Sequence, residues 1–275
     1  MSSSGIQLAM SQWPARCKSF CIALLAGAGL LGALPSPAQN AQAQAAQPRI
    51  VSPPDSYHFP NGKNFVYAVE WHSFNAATSS LRFDLDGTQE KLTGQAKTAG
   101  AVNFIFPVRS WFDARIDPRT YCSTHIFKHS EEGKRRKEVQ IQFDPARTKT
   151  VFDEKNLKTG ESRHQEDDAP SCATDILSGF FYLGSLSLSV GSFETFPVVD
   201  GGVPTVVQAH AEAREDIKVQ AGDFHTVRVD LLPLSGKFQG KGEIWVWYNE
   251  GQFPVQMRAR LPWGTVTFKL QRIEQ

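Results

Sequence analysis

An excess of charge of either sign is missing from this chain: its 29 lysines and arginines stand against 28 aspartates and glutamates. Such a balance offers no cationic excess for a phosphate backbone, so nucleic acid is not an expected partner. Long apolar runs are also scarce. The one present, Phe20 to Leu34, is about 15 residues, short of the ~20 a helix needs to cross a bilayer, and Pro35 and Pro37 end it. Familiar catalytic signatures are absent too: there is no Gly-x-Ser-x-Gly, His-Glu-x-x-His or phosphate loop. No cofactor is implied, and a non-catalytic role is expected.

What is present begins with an address. Arg16 and Lys18 precede the apolar run, and a small-residue, Gln-rich stretch follows it, which is the order of a secretory signal peptide. Small residues at −3 and −1 place cleavage after Ala43 or Ala45. Residues 1–45 are therefore read as a cleaved signal peptide, 46–63 as an N-terminal extension and 64–275 as a single β-rich domain. The mature protein is expected to be periplasmic or otherwise exported, and not transmembrane. Cys17 and Cys21 lie before or at the start of the run, whereas a lipidated cysteine must follow it. Arg16-Cys17-Lys18 is not a twin-arginine pair. Cleavage leaves 27 basic and 28 acidic residues.

Only two of the four cysteines, Cys122 and Cys172, survive cleavage. In an oxidising compartment one disulfide is the simplest reading, and two separate buried thiols the alternative. A bond would close a loop worth roughly 3 to 4 kcal/mol by chain entropy.

Period-two alternation dominates the remainder. Phe65, Tyr67, Val69 and Trp71 share a strand face. Leu81, Phe83 and Leu85 oppose Arg82, Asp84 and Asp86, and Asp86-Gly87 makes a hairpin turn. The pattern returns at Glu138 to Asp144, Phe224 to Leu231 and Val255 to Arg260, and the C-terminal stretch from Gly242 reads as a three-stranded meander. Thr174 to Leu183 differs: Ile176, Leu177, Phe180 and Phe181 recur at helical spacing behind a Thr-Asp start. Val51 to Asn61 and Lys155 to Pro170 read as loops. The expected fold is mainly β, a strongly curved antiparallel sheet or partly closed barrel with one short helix packed on it.

Three constellations could carry function. A curved sheet rich in rings can enclose an apolar cavity, for which Trp71, Phe83, Trp111, Phe127, Trp245, Trp247 and Phe268 are the candidates; Phe104, Phe106, Phe112 and Trp263 belong to the same set of strand aromatics. A filled core is the plainer outcome. Trp245 and Trp247 share one strand face opposite Ile244, Val246 and Tyr248, so each face needs a cover. Lys134, Arg135, Arg136 and Lys137 follow a Gly turn and could touch anionic headgroups, or form a solvated turn partly neutralised by Glu131 and Glu132. Among the histidines, His125 and His129 lie roughly 13 Å apart along a strand, too far to share an ion. His210 with Glu212, and His225 with Asp223, have the spacing of surface pairs, and a hydrolase using either histidine is the least favoured reading.

The passages Ile244 to Asn249, Phe253 to Met257 and Trp263 to Leu270 resemble the closing hairpins of the bacterial envelope family called domain of unknown function 3108. Asp175 to Leu183 resembles its central segment, and Tyr67 to Phe83 its first two strands. The sequence departs from that pattern at Asn249, where an Asp is frequent, and at Gly184, where an Arg is. The resemblance implies an exported β-rich domain of unassigned activity and supplies no catalytic residue. The leading expectation is a protein binding a lipid or other apolar or amphipathic envelope molecule; the alternative is a structural module docking on an envelope protein partner.

Overall fold

The computed structural model describes residues 47–201, 204–236, 239–250, 252–262 and 264–275. The expected signal peptide, Cys17, Cys21 and Trp263 lie outside the described residues. In strand β1 (Asn64–Trp71) the alternation buries Phe65, Tyr67 and Val69. The next strand, β2 (Phe74–Asp86), adds Leu81 and Phe83 to the same face, with Phe65 directly opposite Leu81. The pattern runs on through β3 (Gln89–Thr98), a short helix α1 (Gly100–Ile105), β4 (Val108–Ile116), β5 (Ser123–Glu132), β6 (Arg135–Asp144), β7 (Lys149–Asn156) and β8 (Ser162–Asp168). After helix α2 (Ile176–Ser185) come β9 (Phe193–Val198), β10 (Thr205–Val219), β11 (Gly222–Pro233), β12 (Glu243–Asn249), β13 (Phe253–Leu261) and β14 (Gly264–Glu274).

These strands form one antiparallel sheet in the order β8-β7-β6-β5-β4-β3-β2-β1-β14-β13-β12-β11-β10-β9. Two meanders meet where β1 pairs with β14, Tyr67 opposite Leu270 and Val69 opposite Phe268. Because β8 and β9 remain edges, hydrogen bonding does not close the ring. No helix among the described residues is long and apolar enough to cross a membrane.

The segment between the two edges spans the gap instead. Cys122 and Cys172 form a disulfide, with Cα atoms 5.1 Å apart. Beside it the Ser123 amide donates to the Ala173 carbonyl, and Thr174 bridges to Val198 in β9. Asp175 then caps α2: its carboxylate accepts the amides of Leu177 and Ser178 at 2.9 and 3.0 Å and the Ser123 hydroxyl at 2.9 Å. One stretch of chain thus ties β5 to β9 and launches the helix onto the concave face. There Phe181 is fully buried, its ring centre 4.6 Å from that of Phe83 and 5.5 Å from that of Phe65, a contribution of about 2 to 3 kcal/mol.

Two stretches differ from the sequence reading. Lys155 to Pro170 is not loop throughout, because β8 lies inside it. Its sequence SRHQEDD has no apolar face for periodicity to reveal, yet it pairs with β7 and is held by a His164–Asp153 hydrogen bond and a Lys149–Asp168 ion pair, each at 2.7 Å. Exposed charge is what suits an edge strand, since it discourages further pairing. The second difference is α1, which makes two helices rather than one. Gly100, at φ 55°, turns the chain out of β3, and Phe104 stands on this helix, not on a strand.

The two departures from the resembled family have local explanations. The Asn249 side chain accepts the Phe253 amide at 3.1 Å and so holds the β12–β13 turn. A Cβ on Gly184 would lie 2.6 Å from the Gln252 carbonyl oxygen, so here the helix packs directly on that turn and an Arg would not fit without moving it.

Candidate functional site

Small side chains gather on the inner face toward one end of the sheet. Ser79 of β2, Gly94 and Ala96 of β3, Ser110 of β4 and Ser130 of β5 form one wall; Ile244 of β12, Met257 and Ala259 of β13 and Phe268 of β14 form another. Into the space between them α2 projects Ile176, Leu177 and Phe180, each only half-buried. The result is a cavity of about 370 Å³, within the ~300–1,000 Å³ range of small-molecule sites. A Cβ on Gly94 would stand 3.1 Å from Leu81 Cδ2 and 3.5 Å from Leu177 Cδ1; the missing side chain lets the helix approach.

In the wall Lys128 of β5 forms an ion pair with Asp200 from the connection after β9. The Lys128 ammonium also lies 5.8 Å from the centre of the Phe112 ring. This pair joins the first meander to the end of β9. A second cleft, of about 470 Å³, lies among Tyr57, Ser185, Ser187, Arg214 and Glu250, where the walls are polar.

Of the seven ring candidates, Trp111, which lies opposite His129 on the outer face and is 44% exposed, and Phe268, on the inner face, border the apolar cavity. Phe83 sits behind it, wholly buried against Phe181. The other four are elsewhere, because a ring's parity along its strand decides its face. Phe127 lies opposite Asp113 and Gln140, on the outer face. Trp245 and Trp247 project outward as well: the Trp247 indole N–H donates to Glu215 at 2.7 Å, and the guanidinium groups of Arg258 and Arg260 lie 5.5 and 5.1 Å from the Trp247 and Trp245 rings. Arginines therefore cover the outer face of β12, while Val246 and Tyr248 fill the core beneath it. Trp71 is at a strand end, 44% exposed.

The basic residues lie at the β5–β6 hairpin, with Lys134, Arg135 and Arg136 exposed. Lys137 pairs with Glu154 at 2.8 Å, and Arg136 approaches Glu131 at 3.9 Å. Burial of Glu132 raises its carboxyl above the usual range, against the pull of Lys137 and Arg135. The histidines have other employments. His129 stacks on Trp111 with ring centres 3.6 Å apart and meets Glu138 at 3.0 Å. Burial, with Arg115 nearby, holds the His125 imidazole below its usual value. His210 pairs with Glu212 and stacks on Phe193. His225 pairs across the hairpin with Asp216, rather than with Asp223, at 2.6 Å, and that carboxylate raises its imidazole above the usual value.

The signal that sequence reasoning missed is smallness. Ser79, Gly94, Ala96, Ser110 and Ala259 occupy the alternating inner positions, so the cavity lies where rings are lacking, not where they are dense.

A family model described as Protein of unknown function (DUF3108) matches residues 66–271. No curated protein matches the chain. Among solved structures, a β-barrel-like protein of domain of unknown function DUF1849 from Brucella abortus is similar in fold. At 8% identity it covers 77% of this chain and 96% of its own, with a TM-score of 0.54. Two others overlap less well. A candidate exported protein with a YmcC-like fold from Bacteroides fragilis is 10% identical over 80% of this chain and 99% of its own, at a TM-score of 0.32. A candidate lipoprotein from Parabacteroides distasonis is 10% identical over 78% and 95%, at 0.36.

Proposed function

We propose, for a chain that belongs to the DUF3108 family of proteins of unknown function, that it is exported and holds an apolar or amphipathic molecule of the cell envelope beside α2 without transforming it. The observation that carries this reading is the division of the helix. Phe181, Tyr182 and Leu183 are wholly buried, whereas Ile176, Leu177 and Phe180 face open space. Leaving large apolar side chains wet costs about 25 cal/mol per Å², and an apolar guest removes that cost. The Lys128–Asp200 pair gives such a guest one polar wall on which to orient a headgroup. Export is supported by the order of Arg16, Lys18, the apolar run and the Ala-x-Ala sites.

Titration with 1-anilinonaphthalene-8-sulfonate, an apolar anion that fluoresces when sheltered from water, tests the reading. The wild-type protein should bind it. Ala259→Trp and Ala96→Phe, which fill the cavity from opposite walls, should weaken binding at least tenfold. Equal binding by all three proteins would refute the assignment.

A further inference from the structure

The cavity lies in the half of the sheet that ends at three neighbouring connections. Ala96 is near the end of β3, Ser110 near the start of β4, Ser130 near the end of β5 and Ala259 near the end of β13. Pairing of Ala77 with Thr98 and of Val108 with Glu132 places the β1–β2 turn, the α1 connection and the β5–β6 hairpin side by side at that end. The three most exposed large apolar side chains among the described residues are all there: Phe104 at 89%, Ile105 at 83% and Phe74 at 75%.

The apolar tip and the basic hairpin form one surface. The Gly133 amide donates to the Pro107 carbonyl at 2.8 Å, and the Phe106 ring packs where a Gly133 side chain would be. Within the connection, Thr98 Oγ1 donates to Asn103 Oδ1 at 3.0 Å and accepts the Val108 amide at 2.9 Å. Phe104 and Ile105 are thereby held beside Lys134, Arg135 and Arg136. Glu131 and Glu132 of the same hairpin offset part of this charge; Glu132 is drawn into burial, and Glu131 lies between Arg136 and His129.

We propose that this end of the molecule docks on an anionic phospholipid bilayer, with Phe104, Ile105 and Phe74 entering the boundary between headgroups and acyl chains and Lys134, Arg135 and Arg136 lying over the phosphates. Apolar side chains standing out from separate turns, flanked by cations, match the chemistry of that boundary. Docking in this way sets the end of the sheet that holds the cavity against the membrane. It goes beyond the cavity's guest, so the two readings fail separately.

Flotation of the protein, as recovered from the exporting cell, with phosphatidylcholine vesicles lacking or containing phosphatidylglycerol is the test. The wild-type protein should float with the phosphatidylglycerol vesicles alone, and less so as salt rises. Lys134→Glu with Arg136→Glu should cut partitioning at least tenfold, since each cation near the surface is worth about fivefold. Phe104→Ser with Ile105→Ser should do likewise at unchanged charge, while Ala259→Trp should float like the wild type. The proposal fails if the wild type stays with the soluble fraction or if both surface variants float undiminished. It fails too if sedimentation shows a dimer that Phe104→Ser with Ile105→Ser dissociates without any vesicle binding, which would assign the patch to a second copy.

Discussion

Replacing both Cys122 and Cys172 by serine should destabilise the protein by about 4 kcal/mol. The two cysteines are 50 residues apart, and the chain-entropy relation gives roughly that value at 25 °C for a loop of this size. Both side chains are only half-buried, so the serine hydroxyls add little desolvation cost of their own. The bond also sits where the sheet is not closed by strand pairing: it holds Ala173, Thr174 and Asp175 against β5 and β9. The melting temperature should therefore fall by about 8 to 16 °C, at some 2 to 4 °C per kcal/mol for a domain of this size. In urea the midpoint should fall while the m-value rises, because the unfolded chain gains freedom and surface. Wild-type protein treated with reductant should match the double variant. A loss below about 1 kcal/mol in both would show that the segment is held by its hydrogen bonds alone, and would refute the entropic reasoning.

Two further outcomes follow from buried carboxyl groups. Glu90 is 5% exposed, with Oε1 accepting from Asn61 at 3.0 Å, and burial raises its carboxyl above the ordinary 4.5, Asn61 opposing. The folded state thus holds that proton more readily than the unfolded chain, and stability associated with Glu90 is present below the ordinary value and lost as pH rises through the raised one. Glu90→Gln should melt higher than the wild type at neutral pH, the difference closing in acid; a constant or reversed difference across that range would contradict the sign. Asp175→Ala removes a cap from α2 and the acceptor of the Ser123 hydroxyl, for a loss of about 2 to 4 kcal/mol. Asp175→Asn keeps an amide acceptor and should lose less than half as much in the same urea titration.

Much of the architecture was legible because alternation is a physical requirement of a sheet with one buried face. Phe65, Tyr67, Leu81 and Phe83 announce their strands, and Ile176, Leu177, Phe180 and Phe181 announce the helix. The disulfide was legible from compartment and count. β8 was not, because an exposed edge strand has no hydrophobic period; its order comes from β7 and from ion pairs formed only after folding. The cavity was half legible. Strand parity was available for Trp245 and Trp247, but which parity faces inward at β12 depends on the register with β11 and β13, a tertiary fact. Emptiness is harder still: Gly94, Ala96 and Ala259 make space only because the large rings Phe83 and Phe112 fill the neighbouring positions of the inner face. The basic hairpin was visible as charge, whereas its partnership with Phe104 and Ile105 depends on the Gly133–Pro107 contact.

The binding site beside α2 is tested most directly by native mass spectrometry of the protein, purified without detergent and compared with Ala259→Trp. One bound apolar or amphipathic molecule is expected per wild-type chain, released on denaturation and extractable into organic solvent, and none on the filled variant. Wild-type protein at the bare mass of its polypeptide, or a bound molecule retained equally by Ala259→Trp, would contradict the claim that the space beside α2 is a binding site.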